Sequence, residues 1–448
     1  MRPLTRRQCA GRRLPLPGGR QSLRPGRQLF PRFGRCQSQP HHLRQCASRG
    51  RASGRGAVAV KRIGLLGCGA IGRVHARNLA PHAELVFCSR RRARAEEFRQ
   101  QFGGVGVCQR YEDLLAMEEV AGVVIATPPD VHTAQVVQAL EAGKAVMVEK
   151  PMCASRAEVD EIGAALSARP EAVLMVAENY YYKPSLALMK EVIEWDGIGA
   201  VQRMVVKKLT QQSAEGWKSA YGALLEGGIH FIALMADLAD TALAAAAPRG
   251  GADGVGESTT GVPVDTAEAE HEGAGAPAQR VSAEGRGTAE ESPLKFDPGG
   301  GDAASHSGGA IPELRAPSEI AAEFPTLKRG GGREERHAKV QLRWNGLAGS
   351  LHYAWDRRSL LKGVFQHSVI EGDRGRILFE SNGIYVHIKG EGRRGLTFPG
   401  VRDLMGYGEM TRDFIKCLEE KGRKPYSDFE RAKRDLSVVF QAYEELPY

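Results

Sequence analysis

Residues 60–80 read VKRIGLLGCGAIGRVHARNLA, and the reading of this stretch decides the fold. The apolar run Ile63–Leu66 meets Gly67, Gly69 and Gly72 in a G-x-G-x-x-G turn, and Ile71, Val74 and Leu79 then recur at helical spacing. This order predicts strand, tight turn, helix. Gly67 allows the turn, Gly69 lets backbone approach a pyrophosphate, and Gly72 lets helix and strand close up. The helix start, through Ala70 and Ile71, offers unpaired N–H groups and the positive end of a helix dipole to phosphate. Glycine-rich turns also serve as plain connections, so the context must decide.

The context is an alternation of strands and helices. Glu84–Cys88 (ELVFC) reads as a buried strand, and Ala95, Phe98 and Phe102 mark one face of a helix. A short helix around Asp113–Met117 precedes a strand over Val123–Thr127. A helix closed by Gly143 leads to the strand AVMVEKP. About ninety residues in this order predict an α/β fold, a doubly wound parallel Rossmann sheet that binds a dinucleotide. At the tip of the second strand an acidic residue would bind a ribose 2′-OH, whereas a small hydroxyl and a cation suit a 2′-phosphate. The residues there are Ser89, Arg90 and Arg91. They predict NADP(H); NAD(H) stays compatible if the arginines only open a solvated helix.

Length and charge bound the alternatives. A chain of 448 residues with 42% apolar content can hold two or three domains with sizeable cores. No stretch reads as a membrane span, the most suggestive run being the short one at Ala242–Ala247. The net charge of +9 invites nucleic acid, but residues 1–60 hold fourteen arginines and no Asp or Glu, so the remainder carries about −5. Residues 1–60, lacking a continuous apolar core, read as a disordered transit peptide for plastid or mitochondrion. A basic arm or a misassigned start is the alternative, with a cytoplasmic protein the result. Eight cysteines, three of them in the leader, show no C-x-x-C spacing, and no metal site is expected. Cys68 in the glycine turn and Cys88 before the strand tip permit a redox-sensing role, against the plainer reading of small buried hydrophobes.

The glycine turn, ATPPDVH at 126–132, ALEAGKAVMVEKP at 139–151 and EGGIH at 226–230 together resemble the glucose-fructose oxidoreductase, inositol dehydrogenase and MocA family. The likeness covers most of 60–240 and, more loosely, 337–448. It implies that Lys150 of the E-K-P motif, next to Glu149, reaches the reacting centre, with Pro151 fixing the turn. Thr127, Pro128 and His132 would line the nicotinamide side. A lysine there could stabilise negative charge on a substrate oxygen as hydride moves. NYYYKP at 179–184 resembles the substrate-facing segment, implying Asn179 and Tyr181 as substrate-binding residues, although Tyr181 stands where arginine is frequent.

Glu226 and His230 are four apart, so a regular helix would set them one turn from each other, a carboxylate orienting an imidazole as general acid/base. Glu226 replaces the family's more frequent Asp, and Ala233 stands where a second Asp often follows. Residues 241–336, rich in Ala, Gly, Glu, Ser and Pro, read as a low-complexity disordered insertion or retained intron. Beyond it, alternation around Asn345-Gly346 predicts a hairpin, further strands follow, and two helices over 409–421 and 429–446 end the chain.

The expected organisation is a Rossmann domain over 61–182 and a C-terminal α+β open-sheet domain over 183–240 and 337–448. The resemblance implies that the open sheet pairs subunits into a homodimer or higher homo-oligomer. It also implies an NADP-dependent oxidoreductase acting on a sugar, polyol or cyclic alcohol as small-molecule substrate. The rival readings are a glycosidase-like member using bound nicotinamide transiently and a nicotinamide-sensing protein without activity.

Overall fold

Runs of apolar residues at the centre of the first domain need cover on both faces, and they obtain it by forming a parallel sheet with helices on either side. The computed structural model describes residues 61–213, 218, 220–247, 314–327, 335–359, 363–391, 394–400 and 402–444, all within one compact unit, Val58–Tyr448. The expected leader lies outside the described residues.

The first sheet contains β1 (Arg62–Leu66), β2 (Glu84–Cys88), β3 (Gly106–Cys108), β4 (Val120–Ile125), β5 (Ala145–Val148) and β6 (Leu174–Val176). Their order is β3-β2-β1-β4-β5-β6, all parallel, so the chain reverses its direction of winding between β1 and β4. Ligands of such sheets bind at the carboxyl ends beside this reversal. Between the strands run α1 (Ala70–Leu79), α2 (Arg92–Phe102), α3 (Tyr111–Leu115), α4 (His132–Glu141) and α5 (Arg156–Ser167). Ser155 caps the start of α5, and Glu158 reaches back past it. Ser155 Oγ accepts from the Glu158 N–H at 3.3 Å, while the Glu158 carboxylate accepts from the Ala154 N–H at 2.9 Å.

After β6 the chain leaves the sheet and makes a 3₁₀ turn over Asn179–Tyr182, then α6 (Pro184–Glu194). The second sheet comprises β7 (Val201–Leu209), β8 (Glu319–Glu323), β9 (His337–Trp344), β10 (Leu347–Ala354), β11 (His367–Gly372), β12 (Arg376–Glu380), β13 (Val386–Lys389) and β14 (Arg394–Thr397). Its order is β14-β13-β12-β11-β7-β10-β9-β8, antiparallel except where β7 meets β10. The Asn345-Gly346 hairpin forms as expected, with Gly346 at φ +77°. One face of this sheet buries Ala338, Val340, Leu342 and Trp344, while Gln341 and Arg343 point to solvent. The long helix α7 (Ile229–Ala245) supplies the inner side, with α8 (Tyr407–Glu419) and α9 (Phe429–Glu444) completing the domain.

Two expectations are corrected here. The insertion does not extend over all of 241–336, because α7 continues to Ala245 and β8 pairs with β9 inside that range. The sequence of β8, EIAAE, has one large apolar residue, which an edge strand with a single neighbour tolerates. Residues 248–313 lie outside the described residues. Secondly, the longest apolar helical run is not Ala242–Ala247 but Leu224–Ala245, long and apolar enough to cross a membrane, with 78% of its window buried inside the fold.

Candidate active site

The carboxyl ends of β1, β4, β5 and β6 converge on one cleft, and each glycine of the opening turn has a separate physical reason there. Gly67 sits at φ +107°, and a Cβ on it would lie 2.4 Å from the Ala126 carbonyl oxygen at the end of β4. A Cβ on Gly72 would meet the Gly67 carbonyl oxygen at 2.0 Å, so α1 could not approach β1. A Cβ on Gly69 would meet nothing within 4 Å. Gly69 is also the N-cap of α1 and provides no side-chain cap. The N–H groups at Ala70 and Ile71 therefore open on a space the protein leaves free, which fits a pyrophosphate. At the end of β2, Ser89 is half-buried and accepts from the Arg91 N–H at 3.4 Å, while Arg90 and Arg91 are exposed. Arg94, a residue the sequence reading missed, reaches back from α2 and donates from Nε to the Cys68 carbonyl at 3.1 Å. A second cation thus stands at the glycine turn.

Thr127 and Pro128 line the end of β4, and Thr127 Oγ1 donates to Gln135 Oε1 at 2.6 Å. His132 does not line the cleft. It is fully buried, with Nδ1 3.0 Å from the Pro151 carbonyl and Nε2 2.8 Å from the Thr127 carbonyl, so it ties the β4 and β5 loops together. Burial holds its pKa below the ordinary imidazole value, against those two carbonyls. Glu149 also turns inward. Its Oε1 lies 2.6 Å from Nε2 of His75 on α1, and its Oε2 accepts the Lys150 N–H at 3.2 Å. Burial alone would raise the Glu149 carboxyl, but the His75 hydrogen bond and the nearby His75 and Lys150 charges hold it below its usual value.

Lys150, joined to Pro151 by a cis peptide bond, sends Nζ toward the segment that opens α7. It donates to the Glu226 carbonyl and lies 4.0 Å from Glu226 Oε1. Lys218 Nζ meets the same oxygen at 2.5 Å. Burial would raise the Glu226 carboxyl, and the two lysines more than offset it.

The expected pairing of Glu226 with His230 does not occur. Leu224–Gly228 form a π turn, whose wider spiral leaves four residues short of a full turn. His230 Nδ1 instead meets Glu178 Oε1 at 2.6 Å, and the Tyr180 ring stacks on the imidazole at 4.6 Å between centroids. Glu178 also accepts the Tyr180 N–H at 3.1 Å. An ionised carboxylate can only accept, so Nδ1 carries the proton and the lone pair of a neutral ring lies on Nε2. Among the described residues Nε2 has no hydrogen-bond partner. Burial and, less strongly, the Lys150 charge lower the His230 pKa, while Glu178 raises it; burial prevails.

Asn179 and Tyr181 are close by but committed elsewhere. Asn179 Nδ2 donates to the Met405 carbonyl at 2.7 Å, and the Tyr181 hydroxyl donates to Asp435 and accepts from Arg434 Nη2 at 3.0 Å. Both are buried and hold the second domain's helices behind the site; only the Tyr181 ring shares a small cavity with Lys150 and Glu178.

Residues 61–178 match the family model described as oxidoreductase family, NAD-binding Rossmann fold, GFO_IDH_MocA. The Rossmann domain of this chain, residues 61–178, belongs to the Gfo/Idh/MocA oxidoreductase family. It is 34% identical over 156 residues to mouse trans-1,2-dihydrobenzene-1,2-diol dehydrogenase, covering 34% of this chain and 46% of that one. The chain spans about half the length of the first curated relatives it matches, 46% and 52%. Among solved structures, the 3-ketoreductase KijD10 of Actinomadura kijaniata, in complex with TDP-benzene and NADP, shows a TM-score of 0.58 at 18% identity, over 86% of this chain and 96% of that one. Levoglucosan dehydrogenase, in complex with NADH and levoglucosan, gives 0.60 at 20% identity, over 86% and 98%. At such identities these two structures speak for the shared fold alone.

Proposed function

We propose that this Gfo/Idh/MocA chain is an NADP(H)-dependent oxidoreductase acting on an alcohol or carbonyl carbon of a sugar, polyol or cyclic alcohol. The observation that carries this reading is the convergence of Lys150, from the end of β5, and the Glu178–His230 pair, from β6 and α7, beside an open glycine turn. The nicotinamide, when bound, supplies or takes the hydride. His230 Nε2 accepts the proton of the substrate hydroxyl as the carbonyl forms, and Glu178 holds the ring and favours the imidazolium that results. The Lys150 ammonium stabilises negative charge on the same substrate oxygen. Glu226, held by Lys150 and Lys218, is placed to bind a neighbouring hydroxyl. In the reverse direction the imidazolium returns the proton. Because burial keeps His230 neutral near pH 7, the oxidation direction starts with the base ready.

The preference for NADP(H) over NAD(H) rests on Ser89, Arg90 and Arg91 without an acid, with Arg94 as a further cation. The similarity to a dihydrobenzene-diol dehydrogenase favours a cyclic alcohol. Pairing of two copies through the second sheet is supported by its solvent-facing row Gln341, Ser350, Val205, Val369 and Leu378, in register across five strands. Organelle import rests on the composition of residues 1–60 alone. The test is binding of NADPH and NADH to the full chain, followed by a screen of sugars, polyols and cyclic alcohols at the NADPH absorbance. Tighter NADPH binding and turnover of a cyclic polyol are expected; a tenfold preference for NADH, or binding without turnover across the screen, contradicts the reading.

A further inference from the structure

Three of the five cysteines outside the leader gather at the cofactor end of the first sheet, each touching the machinery that reads the dinucleotide. Cys68 lies between Gly67 and Gly69, with its Sγ 3.9 Å from the Cys88 carbonyl. Cys88 ends β2 immediately before Ser89, and Cys108 ends β3. Cys88 and Cys108 are direct partners in the parallel ladder, so their side chains leave the same face of the sheet. The Ser89 N–H donates to the Cys108 carbonyl at 3.2 Å, and Gln109 Nε2 donates to the Arg90 carbonyl at 3.4 Å. The strand tip that carries Ser89 and Arg90 is therefore built on the Cys88/Cys108 pair.

We propose that Cys88 and Cys108 are an oxidation site, closing to a disulfide under hydrogen peroxide and thereby weakening the dinucleotide site. The inference rests on the cofactor reading above. Neighbouring strands lie about 4.8 Å apart, inside the Cα separation that a disulfide spans. The Cβ atoms must draw to about 4 Å, which pulls the two strand ends together and moves Ser89 with them. Access comes from topology. The three-residue strand β3 is the edge of the sheet, it follows the glycine-rich stretch Gly103–Gly106, and it is held on one side only. Such an edge opens locally at less cost than the sheet as a whole.

Cys108, 6% exposed against 0% for Cys88, reacts first. The Cys88 thiol, which donates to the Arg110 carbonyl at 3.5 Å, holds the neighbouring Cys108 below the ordinary thiol value, while Cys108 and burial push Cys88 up. The Cys108 sulfur attacks one peroxide oxygen, the O–O bond breaks, and sulfenic acid and water form. The Cys88 sulfur then attacks the sulfenic sulfur, the S–O bond breaks, and the thiol proton leaves with hydroxide as a second water. Two thiols lose two electrons and one peroxide becomes two waters.

The full chain, treated with hydrogen peroxide, provides the test. Cleavage after arginine places Cys88 in the peptide 78–90 and Cys108 in 100–110, so the link appears as a joined pair of peptides two mass units below the sum of the reduced ones. The expected result is this link together with at least tenfold weaker NADPH binding, reversed by dithiothreitol. Cys108→Ser should bind NADPH as the reduced protein does and ignore peroxide, and Cys68→Ala should keep the response. Peroxide treatment that forms no 88–108 link, a link with unchanged affinity, or equal loss in Cys108→Ser each overturns the proposal. A reduced protein that binds neither NADPH nor NADH overturns the cofactor reading first, and this consequence with it.

Discussion

Two histidine–carboxylate pairs, His75–Glu149 and His230–Glu178, have the same 2.6 Å contact, and the Lys150 charge acts on both. What surrounds them differs. His75 is 1% exposed, packed edge-on against Tyr407 of α8, and Glu149 spends its second oxygen on the Lys150 N–H. The His230 side chain is 17% exposed and keeps Nε2 without a partner among the described residues. The same contact thus stands in two settings: His75 is enclosed, which suits a strut, while His230 reaches open space and is the ring that the proposed function uses as its base.

The comparison predicts unequal losses. Lys150→Ala and His230→Asn should each lower kcat/KM by about 10³-fold, within the range for a lost acid–base or charge-stabilising group, with little change in NADPH affinity. Glu178→Gln should cost about 10- to 100-fold and move the acid limb of the pH profile down, because Glu178 raises the His230 pKa and its removal leaves burial unopposed. Wild type should already show that limb below the usual imidazole value near 6.5. If Glu226→Gln moved the limb further than Glu178→Gln, the assignment of partners would be wrong. His75→Ala, by contrast, should act on stability, lowering Tm through an unpaired buried Glu149 while kcat stays within a few fold.

The smallest effect concerns Glu335, buried beneath the π turn, where its Oε1 accepts the Leu224 N–H at 2.6 Å. Burial pushes its carboxyl up to about 8. A group that binds its proton more tightly folded than unfolded loses stability as pH rises from its unfolded value, near 4.3, through 8. Glu335→Gln should therefore flatten the fall of Tm between pH 5 and 8. An identical fall in variant and wild type would exclude Glu335 as its source.

The glycine turn and the Asn345-Gly346 hairpin were legible because each of their residues answers a local constraint. Gly67, Gly69 and Gly72 sit within six residues, and Asn345-Gly346 forms its turn without distant help. The reacting end was legible only in part. His230 and Lys150 could be chosen, but the partner of His230 is 52 positions away and arrives through the packing of the 3₁₀ turn Asn179–Tyr182 on α7. One signal was available, a glutamate directly before NYYYKP at a strand's carboxyl end. The π turn that separates Glu226 from His230 has no clear mark in LLEGG. His75 lies on the buried face of α1, where a polar residue reads as core until its partner is seen.

The most direct test of the central claim follows the hydride. With NADPH deuterated at C4, the wild-type chain should deliver deuterium to the carbonyl carbon of a cyclic polyol ketone, and Lys150→Ala should bind the cofactor equally but deliver about a thousandfold more slowly. Undiminished transfer by Lys150→Ala, or NADPH bound with no deuterium in any product of the carbonyl screen, would contradict the account.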